Sequence, residues 1–491
     1  MPHAAFVAAL SITAVAMVLR TTPESSAVGT TPESSANMTP ELKFNSGVVV
    51  PPSCGERLPA VVRPSAADPR LPARPMWLWD SPKVLLDATA RAELFAFCTC
   101  QGIDALWMQV ALERERAADG TPVLQHAAPW RTLLREAHAA GLTVEALEGA
   151  PIYALKTHHA EALAVVDAVI AFSRGAADHD GFDGLHFDIE PHGLYRWRFP
   201  EPREALATGL VEVALESSTR LRAAGLRFGV ALPHWLQVTD EKTGEPLGVV
   251  TWDRTRQSAA YHLIDRLDYV AIMSYRDRTT GPNGVVAIAS DLLAHAAAPG
   301  RARVYLGLET AADSERVWFV TGEPRERMLA RMRARGENPD ELEPIDGFRR
   351  SIADDGTRLH LGLRVPTAVD LDAPALLGAM RQLGAAYGTP QADPPARELA
   401  AALSFALGTL DKSGDWRGLV ARPIAGDGGQ RWSGFLGVAI TPSAITFGGQ
   451  APGDLGREIG AAGPLVASQP AFAGFALHDY EHLRPFLVRR D

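Results

Sequence analysis

The strongest constraint on the fold of this chain is a unit that recurs along most of its length. From about residue 74, a short apolar segment ending in polar or aromatic residues is followed by a stretch with helical spacing, and the unit then repeats. The eight apolar segments are 75–80, 103–110, 142–149, 184–191, 226–235, 267–275, 303–310 and 472–480. Eight alternating units in series favour a closed parallel barrel over the alternative, a doubly wound open sheet. We therefore predict an α/β protein with a (β/α)8 TIM barrel.

The spacing of the segments also predicts the domain boundaries. The first seven segments follow one another closely and place strands one to seven in residues 74–310. The eighth strand comes late, in a C-terminal part at 471–491, so residues 311–470 are predicted to be a large insertion between strands seven and eight. This stretch has a hairpin signal of its own, with Asp355 and Gly356 at the turn. We expect it to form a subdomain beside the barrel.

The N-terminal part of the chain has the composition of a targeting segment and a tether. Residues 4–19 are an uninterrupted, mostly apolar run that is short for a membrane span. The Thr-, Ser- and Pro-rich tract that follows contains "TTPESSA" twice and cannot form a core. We predict a signal peptide or membrane anchor at 1–20, a disordered linker at 21–73, and a secreted or cell-envelope protein. The N-terminus is then the only possible tether to a membrane.

Charge and cysteine content narrow the classes of partner. The formal net charge of −10 argues against a nucleic-acid-binding groove. The three cysteines, Cys54, Cys98 and Cys100, are too few for a disulfide framework, and no metal-ligand cluster surrounds them. We interpret them as buried or inert thiols, and we predict neither a metal nor a cofactor for the main function.

The fourth predicted strand carries the most informative pattern. Residues 181–192 read "GFDGLHFDIEPH", and successive side chains of a strand point to opposite faces. In a barrel, one set would face the helices (Leu185, Phe187 and Ile189) and the other would face the axis (His186, Asp188 and Glu190). Unpartnered buried carboxylates are costly, and barrel active sites form at the carboxyl ends of the strands. A catalytic site is therefore favoured over a salt-bridged core layer.

The same residues resemble a known motif. The stretch "DGLHFDIE" is similar to the strand-four motif Asp-Gly-x-Asp-x-Asp-x-Glu of the chitinase and endo-β-N-acetylglucosaminidase family of TIM-barrel glycoside hydrolases. Asp183, Gly184, Asp188 and Glu190 match it, and His186 replaces the first inner Asp. The resemblance implies that Glu190 protonates the glycosidic oxygen. It also implies that Asp188 orients the N-acetyl group of the substrate and stabilises an oxazolinium intermediate.

A second motif of that family falls in strand six. The family has Met-x-Tyr at the end of this strand, and "IMSYRD" supplies Met273 and Tyr275. By resemblance, Tyr275 would hydrogen-bond the acetamido oxygen. The family's strand-eight Trp has no counterpart, because "FALHDY" places His478 and Tyr480 there.

A carboxylate at the end of strand seven leaves a second mechanism open. Many retaining glycosidases of this fold place an acid/base Glu at strand four and a nucleophilic Glu at strand seven, and Glu190 and Glu309 fit that placement. Such a pair is about 5 Å apart in retaining enzymes and farther apart in inverting ones. In either mechanism Glu190 is the proton donor, and Asp188 raises its pKa by charge repulsion.

Aromatic and histidine side chains near the predicted strand ends are candidates for sugar binding, because flat rings offer apolar faces to pyranose rings. Besides the catalytic candidates, the predicted substrate-binding residues are His186, Trp79, Trp107, His234, Trp235 and His478.

Two other function classes remain open. A metal-dependent hydrolase on the same barrel would draw its ligands from the His and carboxylate side chains of strands four, five and eight. A carbohydrate-binding pseudoenzyme would keep the pocket without turnover. The favoured prediction is an exported glycoside hydrolase that cleaves a poly- or oligosaccharide, with Glu190 as general acid.

Overall fold

The computed structural model describes residues 54–64, 71–176, 179–241, 243–311, 315–354, 356–365, 373–387, 420–421, 424–425, 431–432, 435–439 and 445–488. Its centre is a closed barrel of eight parallel strands, in which each strand pairs with the next and the eighth pairs with the first. In chain order, strands one to eight are Pro75–Leu78, Ala105–Gln109, Thr143–Glu148, Gly184–Phe187, Arg227–Pro233, Tyr269–Met273, Arg303–Glu309 and Phe472–His478. The predicted TIM barrel is confirmed.

Helices surround the barrel. They are Ser81–Leu86, Ala88–Gln101, Ala127–Ala139, His159–Arg174, Pro200–Ala223, Ala259–Ile264, Val285–Ile288, Ser290–Ala296, Pro452–Val466 and Tyr480–Val488. A hairpin of Val249–Trp252 and Thr255–Ser258 lies between strands five and six. Among the described residues, no helix has both the length and the apolar character of a membrane span. The predicted targeting segment at 1–20 lies outside the described residues.

Alternation in strand four follows the predicted faces. Leu185, Phe187 and Ile189 are buried in the apolar layer between strands and helices. His186 is fully buried against the aromatic side chains that fill the barrel, among them Trp107. The period-two geometry of a strand thus determines which side chains enter the barrel.

Segments that lie between strands seven and eight in the sequence form a separate five-stranded sheet. Its strand order is Arg350–Asp354, Arg358–Val365, Glu315–Pro324, Phe435–Ala439 and Val420–Ala421. The segments Ile424–Ala425 and Arg431–Trp432 form a two-stranded pair, and the associated helices are Arg325–Ala334 and Ala373–Ala386. Apolar side chains of the sheet and the two helices form a core of their own. We call these elements the inserted subdomain.

The C-terminal boundary of the predicted insertion differs in the structure. The helix Pro452–Val466 falls within the predicted insertion 311–470, but Leu455, Ile459 and Val466 are buried in the apolar layer of the barrel. This helix therefore belongs to the barrel. The sequence did not reveal this, because an amphipathic helix shows its apolar side but not the surface that it covers.

The end of the predicted linker and the cysteines also differ from expectation. Of the predicted disordered stretch 21–73, residues 54–64 lie against the barrel, where Leu58 is buried and the backbone N–H of Glu56 donates to Leu487 at 2.9 Å. Cys54 forms a disulfide with Cys100, so the interpretation of all three cysteines as free thiols was wrong. Only Cys98 is a free, buried thiol.

Candidate active site

A layer of aromatic rings inside the barrel supports the site from below. The imidazole of His186 stacks on Trp107 with ring centroids 3.9 Å apart, and the ring of Tyr269 is nearly parallel to both, with its centroid 5.7 Å from that of His186 and 5.6 Å from that of Trp107. His186 and Trp107 are 0% and 1% exposed. The structure thus places these two predicted substrate-binding residues one layer deeper than Asp188, where other side chains cover them.

A chain of hydrogen bonds fixes His186 as a neutral ring. Arg227 pairs with Glu145 at 3.0 Å, and the hydroxyl of Tyr269 donates to Glu145. That hydroxyl oxygen lies 3.2 Å from His186 Nδ1 and is left to accept, so Nδ1 carries the proton. Burial lowers the pKa of His186 well below its usual value. The motif that strand four resembles has an Asp at this position. Here the neighbours are aromatic rings and a hydroxyl that accepts a hydrogen bond, and these suit a neutral imidazole.

Glu190 lies beyond the end of strand four, with a side chain that is 14% exposed. Burial raises the pKa of Glu190 well above its usual value, and the negative charge of Asp188 raises it further. His478 lowers this pKa and Glu309 raises it, so all four groups act on one another at the same end of the barrel. The carboxyl of Glu190 therefore keeps its proton to higher pH than an ordinary Glu, as suits a general acid.

Asp188, two residues earlier on the same face, is the free carboxylate of the site. Burial raises the pKa of Asp188 to about 6. Its Oδ1 is shielded from solvent and accepts no hydrogen bond from the described residues. The backbone of Gly149 lies so close that an added Cβ would stand 2.1 Å from the Asp188 carbonyl oxygen. Only glycine allows strands three and four to approach this closely.

Glu309 and His478 form a pair across strands seven and eight. His478 Nδ1 lies 2.9 Å from Glu309 Oε2, and the other oxygen, Oε1, accepts the backbone N–H of Ala311 at 2.7 Å. Oε1 of Glu309 is therefore hydrogen-bonded, and Oε2 is in close contact with the His478 ring.

Burial and neighbouring charges act on the pKa of His478 in opposite directions. Burial lowers its pKa, but Glu309 and Asp479 outweigh burial, and the net shift is upward. The indole N–H of Trp79, however, points at His478 Nε2 at 3.0 Å, and this is a hydrogen bond only when Nε2 has no proton. This geometry places the proton on Nδ1, the nitrogen that faces Glu309.

Tyr275 completes the cluster. Its ring centroid lies 5.8 Å from that of His478, and its hydroxyl is near the carboxylates. Burial raises the pKa of Tyr275 well above its usual value, and Glu309 and Asp188 raise it further, so the phenol keeps its proton. Gly307 makes room for this ring, because an added Cβ would stand 3.0 Å from Tyr275 Cε1.

The structure brings together Glu190, Asp188, Glu309, Tyr275, Trp79 and His478, all predicted from the sequence. Two predicted residues after strand five lie to one side. His234 Nδ1 donates to the carbonyl of Met273 at 3.1 Å, and Trp235 contacts His192 edge-to-face at 5.1 Å between centroids. Both are largely buried.

No protein-family model matches this sequence. No curated protein matches it either. Solved chitinase structures do match it. The C-terminal domain of a putative chitinase from Desulfitobacterium hafniense DCB-2 is 13% identical, with 65% of this chain and 92% of that chain covered and a TM-score of 0.33. A chitinase from Chromobacterium violaceum ATCC 12472 is 15% identical, with 65% and 91% covered and a TM-score of 0.30.

A Family GH18 chitinase from Cycas revoluta, solved in complex with allosamidin, is 12% identical, with 85% and 97% covered and a TM-score of 0.37. Chitinases are thus among the solved structures that this chain is similar to. The fold of the chain is established by its own closed barrel. Its activity is inferred from the residues of its own site.

Three neighbours of the site have no role in the glycosidase site predicted from the sequence. Asp479 holds His482 Nδ1 at 2.6 Å, and Glu481 accepts the backbone N–H of Trp79 at 3.2 Å. Glu148 ends strand three, where burial raises its pKa to about 7 and Tyr153 donates to it at 3.4 Å. A carboxylate at the end of a barrel strand was the available signal for Glu148. Among the described residues, no three His, Cys, Asp or Glu side chains form a group that could hold a metal ion.

Proposed function

We propose that this barrel is a glycoside hydrolase and that Glu190 is its general acid. The observation that carries the proposal is a buried carboxyl at the end of strand four whose pKa is raised by burial and by Asp188. Such a group keeps its proton to higher pH than an ordinary Glu and can transfer it to the leaving oxygen of a glycoside.

Asp188, rather than Glu309, is proposed as the partner of Glu190. Asp188 Oδ1 accepts no hydrogen bond from the described residues, whereas Glu309 Oε1 accepts one from Ala311 and Oε2 lies 2.9 Å from His478 Nδ1. A free oxygen beside the acid is available to an N–H group of the substrate. This favours the acetamido-assisted mechanism that the strand-four motif implies over a nucleophilic Glu309.

Tyr275 and Trp79 have supporting roles in this proposal. A phenol that stays protonated can donate a hydrogen bond to the carbonyl oxygen of a sugar acetamido group. Trp79 is half-buried beside His478 and offers a ring face at the mouth of the barrel. His186 and Trp107 support Asp188 from the layer below.

The proposed substrate is an oligosaccharide that contains N-acetylglucosamine. The solved Cycas revoluta chitinase in complex with (GlcNAc)3 carries such a sugar, but the proposal for this chain rests on the Asp188, Glu190 and Tyr275 arrangement. The apolar N-terminal segment is also the basis for proposing that the protein is exported. The Cys54–Cys100 disulfide supports it, because disulfides persist in oxidising compartments.

Hydrolysis of a fluorogenic chitotrioside by wild type and by Glu190→Gln tests the function. We expect the variant to lose at least about a hundredfold in kcat, the usual scale for a lost general acid. The matched control is Glu216→Gln, which changes an exposed helical partner of Arg220 and should keep wild-type turnover. Turnover in Glu190→Gln equal to wild type would refute the assignment. Binding of chitotriose without cleavage by wild type would indicate the pseudoenzyme.

A further inference from the structure

The loop that follows Glu190 is held on two sides. We call residues 191–199 the acid loop. Its barrel side is fixed by Leu194 and Trp197, which are buried in the apolar layer around the barrel. The backbone N–H of Gly193 donates to the carbonyl of Glu190 at 2.9 Å, and His192 Nε2 lies 3.7 Å from the Glu190 carboxyl. A displacement of the acid loop therefore changes the surroundings of Glu190 directly.

The other side of the acid loop belongs to the inserted subdomain. Tyr195 is 8% exposed, and its ring is part of the apolar core that the subdomain forms around Met328 and Leu361. Its hydroxyl donates to Asp354 Oδ2 at 3.1 Å and accepts from Arg325 Nε at 3.3 Å. A barrel residue thus completes the core of the subdomain.

A second contact lies one residue further along. Asp340 Oδ1 accepts the backbone N–H of Arg196 at 3.1 Å, and its other oxygen pairs with the Arg196 guanidinium. The side chain of Asp340 is only 2% exposed. A buried carboxylate that binds both the backbone and the side chain of one residue fixes that residue in position and orientation.

Both attachments use charged partners inside the subdomain. Arg325 pairs with Asp354 at 3.2 Å and lies over the ring of Phe199, with its guanidinium carbon 4.4 Å from the ring centroid. The side chain of Asp354 is only 6% exposed, so removing one of its partners leaves a buried carboxylate less well satisfied, and a shift of the acid loop costs free energy.

We propose that the inserted subdomain positions the general acid, through Tyr195 and Asp340 as positioning residues that hold the acid loop. This inference rests on the proposed function of Glu190. It assigns to the subdomain a role that needs no contact with substrate. Displacement of a catalytic group by about 1 Å can cost on the order of a hundredfold in rate, so a loosened loop lowers kcat.

The test compares Tyr195→Phe and Asp340→Asn with a control in the same subdomain. Tyr387→Phe also removes a buried tyrosine hydroxyl that is bonded to a carboxylate, Glu337, but it does not touch the acid loop. Backbone hydrogen exchange of residues 192–199 is followed by mass spectrometry, and kcat, KM and the pH profile are measured on a fluorogenic chitotrioside.

We expect faster exchange in the acid loop of Tyr195→Phe and Asp340→Asn, with kcat lowered about tenfold, KM nearly unchanged and the pH limb of Glu190 shifted. The control should match wild type in all of these. Unchanged exchange, faster exchange with unchanged kcat and pH profile, or an equal loss in the control would each overturn the proposal. If wild type cleaves no substrate, the proposed function fails, and exchange alone decides whether the subdomain holds the loop.

Discussion

His478 and Glu309 end neighbouring barrel strands in direct register, and the imidazole Nδ1 lies 2.9 Å from the carboxylate Oε2. The family whose strand-four motif this chain resembles has a Trp at the end of strand eight. Here a polar pair occupies the place where that apolar ring is expected. Glu309 is 4% exposed, so its carboxyl has little contact with solvent.

Loss of His478 should therefore destabilise the fold. We expect His478→Ala to lower the free energy of unfolding by about 3–5 kcal/mol, because the Glu309 carboxylate would remain buried without its partner. Chemical denaturation measures this change. In the double variant His478→Ala/Glu309→Gln the loss should be smaller, because no charge is left unpaired. Additive losses would contradict the pairing.

The pH dependence of activity should depend on Asp188. Its negative charge is, after burial, the largest cause of the raised pKa of Glu190. In Asp188→Asn we expect the descending limb of the kcat/KM profile to move to lower pH, because Glu190 then loses its proton more readily. If the limb stays in place in Asp188→Asn, the charge of Asp188 does not raise the pKa of Glu190, and the prediction is wrong. Glu216→Gln serves as the control for the profile.

Glu190 should also leave a signature in stability. Its pKa is raised in the folded state, whereas a Glu in the unfolded chain titrates near about 4.3. Between these two values the folded state keeps a proton that the unfolded state loses, so stability falls as pH rises through this window. Glu190→Gln removes the effect. We expect its melting temperature to exceed that of wild type at pH 8 by more than at pH 4.5. A difference that does not change with pH would contradict the raised pKa.

Replacing His186 by the residue of the family motif should be unfavourable here. His186 Nδ1 donates to the hydroxyl oxygen of Tyr269, whose own proton is given to Glu145. An Asp at this position would bring an acceptor to an acceptor and bury a charge beside aromatic rings. We expect His186→Asp to lower the melting temperature more than His186→Asn, which can still donate. The reverse order would contradict the proposed direction of the hydrogen bonds.

The disulfide can be tested by reduction. We expect Cys54→Ser to lower the free energy of unfolding by about 2–4 kcal/mol, because the bridge closes a loop between residues 54 and 100. Reducing agent should lower the stability of wild type and leave Cys54→Ser unaffected. Equal sensitivity of the two proteins to reductant would show that the bridge does not form.

Much of the barrel and part of the site could be predicted from local patterns. The alternation in strand four predicts which side chains face the axis, because the period of two is a property of the strand backbone. The alternation does not show how deep in the barrel each side chain lies. His186 and Asp188 share a face, but His186 lies one layer lower, which is why a predicted substrate contact is covered by Trp107 and Tyr269.

The features that sequence reasoning missed join distant parts of the chain. The disulfide links Cys54 to Cys100 across a separation of 46 residues, and the hydroxyl of Tyr195 meets Asp354 across 159 residues. Neither pairing leaves a local signal, because it depends on how separate elements dock. The His478–Glu309 pair is intermediate: closure of the barrel makes strands seven and eight neighbours, but the register decides the contact.

The most direct test of the central claim compares leaving groups in Glu190→Gln. A natural oligosaccharide needs a proton on its leaving oxygen, whereas a dinitrophenyl glycoside of the same sugar leaves without one. If Glu190 is the general acid, the variant should lose at least about a hundredfold on chitotriose and far less on the dinitrophenyl substrate. An equal loss on both substrates would contradict the assignment of Glu190 as proton donor.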